Sequence, residues 1–76
     1  MSADELRKLL HAVPFRPFTV YLPSDKALKV PHSDFAWLSP NGRTMILYQH
    51  ENAGMDILDV PLITRVEVAP EHAPQS

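Results

Sequence analysis

The sequence predicts an α+β domain in which one N-terminal helix packs on a strongly bent antiparallel meander of four to five strands. Three observations lead there. Apolar residues recur at helical spacing before residue 14, the segment Pro14-Phe15-Arg16-Pro17-Phe18 forbids helix, and from Phe18 onward the apolar period falls to two. Each proline of that segment fixes its own φ, lacks an N–H, and pushes the residue before it, Val13 or Arg16, towards extended geometry. The chain must leave a helix there and run out flat.

The helix is expected from Ala3 to Ala12. Ser2 followed by Glu5 fits a capping box, and Asp4 and Glu5 suit the positive end of the helix dipole. Leu6, Leu9, Leu10 and Val13 fall at i, i+3, i+4 and i+7, while Arg7, Lys8 and His11 lie towards the other side. A helix of about ten residues is marginal alone, so this stripe requires a sheet to dock on.

Strand one begins at Phe18, with Phe18, Val20 and Leu22 on one face and Thr19 and Tyr21 on the other. Pro23-Ser24-Asp25-Lys26 reads as a turn, and Leu28 and Val30 then alternate with Ala27 and Lys29 until Pro31 ends the ladder. Phe35 to Leu38 is the third strand. Ser39-Pro40-Asn41-Gly42 has proline at the second turn position, followed by residues that tolerate positive φ, so a hairpin is expected. Arg43 to Gln49 returns with Met45 and Leu47 opposite Ile46 and Tyr48, a strand apolar on both faces. After the polar loop His50 to Gly54 comes Met55 to Val60, then a break at Pro61 and a last piece from Leu62 to Val68. Residues 69–76 carry two prolines and few apolar side chains, so 1–68 is expected as the domain and 69–76 as a frayed tail.

A chain of 76 residues, 45% hydrophobic and 21% charged, suits one small core. It has no cysteine, so neither a disulfide nor a thiolate metal site supplements that core, and self-association is the expected supplement. The start Met1-Ser2-Ala3-Asp4-Glu5 lacks a basic segment followed by an apolar run, which leads to an expectation of a cytoplasmic protein. Apolar runs fall far short of the roughly 20 residues of a membrane-spanning helix, so no membrane association is expected. The formal charge of −2 gives no long-range attraction for phosphate backbones.

A helix followed by about five short strands is expected either to close into a small barrel, the slightly preferred outcome, or to stay open beneath the helix; the ending Asp59-Val60-Pro61-Leu62-Ile63-Thr64-Arg65-Val66 resembles in outline the last turn and strand of Sm-like and SH3-like barrels. Pro14 to Phe18, Val30-Pro31-His32-Ser33-Asp34-Phe35 and Leu62-Ile63-Thr64-Arg65-Val66-Glu67 together look like a group of short bacterial hypothetical proteins. That resemblance implies a bacterial origin and brings no catalytic or binding residue to these positions.

Four groupings carry conceivable chemistry. His32 and Asp34, two apart on an extended chain, share a face and would reach one metal ion with His50 or Glu51; the plainer reading has Asp34 bonding to nearby backbone where the ladder breaks. Ser33, His50 and Asp56 compose a nominal hydrolytic set, but sets of this kind arise by chance and no glycine-rich nucleophile turn accompanies this one. Arg16, Lys29, Arg43 and Arg65 beside Tyr21, Trp37 and Tyr48 are the parts with which small barrels hold single strands, bases stacking on rings and cations meeting phosphates. Against that, Trp37 and Phe35 are expected in the core. Arg16, between two Pro-Phe pairs, would grip a carboxylate of a partner or shield the flanking rings, and shielding is the simpler role. No catalytic residue, metal ligand or cofactor is therefore assigned. The leading expectation is a non-catalytic protein-interaction module that self-associates, supported by stretches apolar on both faces (Met45 to Tyr48 and Ile57 to Leu62) and by the edge left exposed if the meander does not close, with the rival that the helix covers the second face within one chain; the alternative is a single-stranded nucleic-acid-binding small barrel through Arg16, Lys29, Arg43, Arg65 and Tyr21.

Overall fold

The computed structural model describes residues 2–48 and 54–70, which form one helix and six strands arranged as two three-stranded antiparallel sheets. Helix α1 spans Ala3–Leu10. The strands are β1 (Phe18–Tyr21), β2 (Ala27–Val30), β3 (Ala36–Leu38), β4 (Thr44–Tyr48), β5 (Met55–Asp59) and β6 (Arg65–Val68). One sheet has the order β2-β1-β6 and the other the order β3-β4-β5.

Of the two expected outcomes, closure into a barrel is not the one seen: the strands form two small antiparallel sheets. The chain crosses between the sheets twice, and each crossing combines a proline with a 3₁₀ turn: Pro31 precedes Ser33–Phe35 between β2 and β3, and Pro61 lies within Val60–Leu62 between β5 and β6. A proline donates nothing to a ladder, so pairing stops at both places and two short sheets replace one bent meander. The last strand, reached through a short turn as expected, pairs with β1, with Val20 opposite Val66.

Both sheets nonetheless share a single core. Leu6 of α1 is completely buried with Phe18, Val20 and Val30 from one sheet, Met45, Leu47 and Leu58 from the other, and Val60 and Ile63 from the second crossing. Leu9 and Leu10 pack against this cluster, so the helical stripe docks as its spacing required. The helix is shorter than expected. His11 closes it, and Val13, counted on the stripe from sequence, is 95% exposed because the helix has ended before reaching it. Ser2 is the N-cap residue, but its side chain makes no capping hydrogen bond, so the capping box is not formed; its carbonyl accepts from Leu6 N–H at 3.2 Å.

The segment Pro14 to Phe18 has a structural task. Phe18 is buried, and the Phe15 ring lies 6.0 Å from it and 5.7 Å from the His32 ring, centroid to centroid. Arg16 finds an acceptor within the chain. Its Nη2 and Nε donate to the Ala69 carbonyl at 2.8 and 3.2 Å, while Ala69 N–H donates to the Pro17 carbonyl at 2.9 Å. The chain thus clamps its own end beyond β6, and a charged donor in a part-buried place makes this one of the stronger hydrogen-bonded links in the fold.

Two turns follow their expected chemistry. At the β1–β2 hairpin, Asp25 takes φ 64° and Leu22 N–H donates to the Lys26 carbonyl at 2.9 Å. At the β3–β4 hairpin, Gly42 takes φ 75° and its N–H donates to the Ser39 carbonyl at 2.9 Å. Ser39 Oγ donates to Asn41 Oδ1 at 2.7 Å and accepts from Thr44 N–H at 3.1 Å, so a buried hydroxyl organises the loop.

Candidate docking surface

Strict alternation along β3, β4 and β5 sorts their side chains onto two faces. The inner face carries Leu38, Met45 and Leu58, which the register aligns in one row, with Leu47 in the next. The outer face is equally apolar. Trp37, Ile46 and Ile57 are aligned across the three strands, and Tyr48 and Met55 form the neighbouring row. The inner face packs into the core shared with Leu6 of α1 and the other sheet, while the outer face stays open among the described residues: Trp37 is 46% exposed, Ile57 65%, Met55 57% and Tyr48 46%. The expectation that Trp37 lies in the core fails here, and Phe35, expected beside it, is half-buried.

Four of the six large hydrophobic side chains exposed among the described residues therefore lie on one face of one sheet. Scattered exposed hydrophobics are ordinary; a contiguous set marks a contact surface. The charge pattern sharpens this. Among the described residues of the sheet, Asp59 is the one charged side chain on that face, opposite Thr44 at the end away from Tyr48 and Met55.

The outer face of the β2-β1-β6 sheet is its opposite in character. Thr19 lies between Lys29 and Glu67, and Tyr21 between Ala27 and Arg65. The Arg65 guanidinium lies 4.0 Å from the Tyr21 ring centroid, and the Tyr21 hydroxyl donates to Glu67 Oε1 at 2.8 Å. That hydrogen bond, first of all, raises the Tyr21 phenol above its usual value of 10.0; desolvation and the Glu67 charge act in the same direction and the Arg65 charge opposes them.

Of the five residues considered for nucleic acid, this face brings together Tyr21, Lys29 and Arg65. Arg16 is spent on Ala69, and Arg43 precedes β4 on the other sheet. The Tyr21 ring already carries a guanidinium where a base would stack, and Glu67 adds a carboxylate where phosphates would approach. Trp37 and Tyr48 belong to the apolar face of the other sheet.

The remaining groupings fall apart or onto local structure. His32 Nδ1 accepts from Asp34 N–H at 3.2 Å and caps the 3₁₀ turn. His50 and Glu51 lie outside the described residues, and no group of three or more potential ligands occurs among those described. Ser33 starts the turn before β3, whereas Asp56 sits on β5 level with Ala36 but two strands away, about 10 Å across the sheet; Asp56 Oδ1 lies 3.9 Å from Lys26 Nζ. Among the described residues no helix is long and apolar enough to cross a membrane.

Sequence reasoning found the two-sided strand β4 but not the surface. The missing signal was the register, since Trp37 joins Ile46 and Ile57 only once the three strands are aligned. Comparison of the chain with family models, with curated proteins and with solved structures gave no match.

Proposed function

We propose that this protein is a non-catalytic interaction module that docks a protein partner through the outer face of the β3-β4-β5 sheet. The observation carrying this reading is the aligned row Trp37–Ile46–Ile57 with Tyr48 and Met55 beside it, of which Trp37, Ile57, Tyr48 and Met55 are exposed and Ile46 is half-buried. Apolar area held in water at this density is unfavourable by about 25 cal/mol for each Å², and covering it recovers that free energy. Interface cores favour the composition found here, with tryptophan, tyrosine and methionine present and charge nearly absent.

A photo-crosslinking side chain at position 57 tests this against one at position 19 on the polar sheet. Position 57 is expected to yield protein–protein adducts and position 19 few or none. Equal, weak yields from both positions would remove the docking surface.

A further inference from the structure

We infer that the occupant of this face is a second copy of the chain, packed sheet on sheet about a two-fold axis running along β4. The inference rests on the docking surface just described and adds the identity of the partner. A closed two-fold pair requires a patch complementary to itself, and a nearly uncharged apolar face meets that requirement. A partner selected by charge would need charges to read, and among the described residues of the sheet this face offers Asp59 alone.

The choice of axis follows from how polarity is distributed. The Tyr48–Met55 end is apolar and the Thr44–Asp59 end polar, so a rotation along the strands lays like on like. Rotation across the strands would instead bury Met55 against a carboxylate. With the axis along β4, β3 of one copy faces β5 of the other, Trp37 lies over Ile57 of the second copy, Ile46 meets itself, and the two Asp59 carboxylates fall on opposite flanks. Sheets packed this way sit about 10 Å apart with strands about 30° from aligned.

Area places the pair in a size class. The exposed parts of Trp37, Tyr48, Met55 and Ile57 amount to on the order of 400 Å² per copy, and with a polar rim the pair would bury roughly 1,200 Å², the low end for specific interfaces. Interfaces at that end of the range belong with weak, transient pairs, so association is looked for from micromolar chain upward. The charge of −2 on each copy opposes this little at physiological ionic strength. Residues 49–53 (Gln-His-Glu-Asn-Ala) and 71–76 (Glu-His-Ala-Pro-Gln-Ser) are too polar in composition to substitute for an apolar partner.

Sedimentation equilibrium from micromolar to near-millimolar chain tests the inference, with Ile57→Arg as the disrupting variant and Thr19→Arg as the control on the other sheet. The expected result is a reversible monomer–dimer equilibrium that Thr19→Arg leaves intact and Ile57→Arg weakens about 100-fold, an unpaired charge having been placed in the contact. In the single chain Ile57 is exposed and Thr19 is half-buried on the outer face of the other sheet, and circular dichroism verifies that each variant keeps its fold. The chain has no cysteine, so single cysteines joined by a short bis-maleimide linker, which spans the gap between sheets that a direct disulfide does not, report the symmetry: Ile46→Cys is expected to crosslink to itself, and Ile57→Cys to Trp37→Cys more readily than to itself.

A chain that stays monomeric throughout overturns the inference, as does a dimer indifferent to Ile57→Arg. If that monomer still gives adducts to a different protein from position 57, the docking surface stands and only the second copy is wrong. A monomer without adducts removes both.

Discussion

Leu6→Ala is expected to destabilise the domain by about 2–5 kcal/mol, the range for truncating a leucine whose site cannot collapse around the loss. Leu6 has no exposed surface and belongs to the one cluster that joins the helix to both sheets. Small domains hold only about 5 kcal/mol or a little more in total, so the variant should stand near its unfolding midpoint at room temperature. Urea unfolding followed by circular dichroism reads this directly, and Leu10→Ala, at a half-buried site on the same stripe, should lose clearly less. A loss below about 1 kcal/mol for Leu6→Ala would mean that the helix does not tie the two sheets together.

Gly42→Ala is expected to destabilise by roughly 2–4 kcal/mol through two separable causes. The first is conformational: φ is +75°, a region in which an L side chain is strained. The second is a collision. A Cβ at position 42 would lie 2.6 Å from the Ala3 Cβ, an atom fixed to the helix backbone that has no rotamer by which to move aside. Combining Gly42→Ala with Ala3→Gly should therefore restore the collision component and leave the φ component, apart from the small propensity loss of a first-turn glycine. Thermal unfolding of the two single variants and the double variant measures the coupling. Strict additivity would show that the β3–β4 turn and the helix start do not touch.

Those two sites illustrate which parts of the fold were legible in the sequence. Gly42 was expected in a turn because Pro40 and Asn41 precede it, and local chemistry of that kind is written in adjacent residues. That its missing Cβ also makes room for Ala3 was not legible, because the contact joins positions far apart in the chain. Leu6 was legible as a member of a stripe, whereas Val13 satisfied the same spacing and ended in solvent. Spacing tells which residues would align if the helix continued, but Pro14 decided that it did not.

The strands show the same division. Alternation identified Phe18 to Tyr21 and Ala27 to Val30 together with their inward residues, and the double apolar character of Thr44 to Tyr48. Closure into a barrel was not readable, since it depends on whether pairing continues past Pro31 and Pro61, and each proline is followed or occupied by a 3₁₀ turn that carries the chain to the other sheet. Trp37 was misplaced for a related reason. A large aromatic in a small domain usually serves the core, and β3 has apolar residues on both faces, so only the inward seats of Ala36 and Leu38, aligned with Leu47 and Met45, settle its direction. Arg16 looked like a side chain in search of an acceptor. Its acceptor is the Ala69 carbonyl, 53 residues along the chain, and no local pattern foretells that.

The functional account depends on one side chain being on the surface of the single chain, and Trp37 is the only tryptophan present. Its emission and its quenching by acrylamide, followed from about 1 µM upward, report its surroundings well below and then above the concentration at which a weak pair forms. The expected result is red-shifted, readily quenched emission in dilute protein that shifts to the blue and becomes protected as concentration rises. Blue, quencher-resistant emission in the dilute folded monomer would place the indole in the core and contradict the docking face itself.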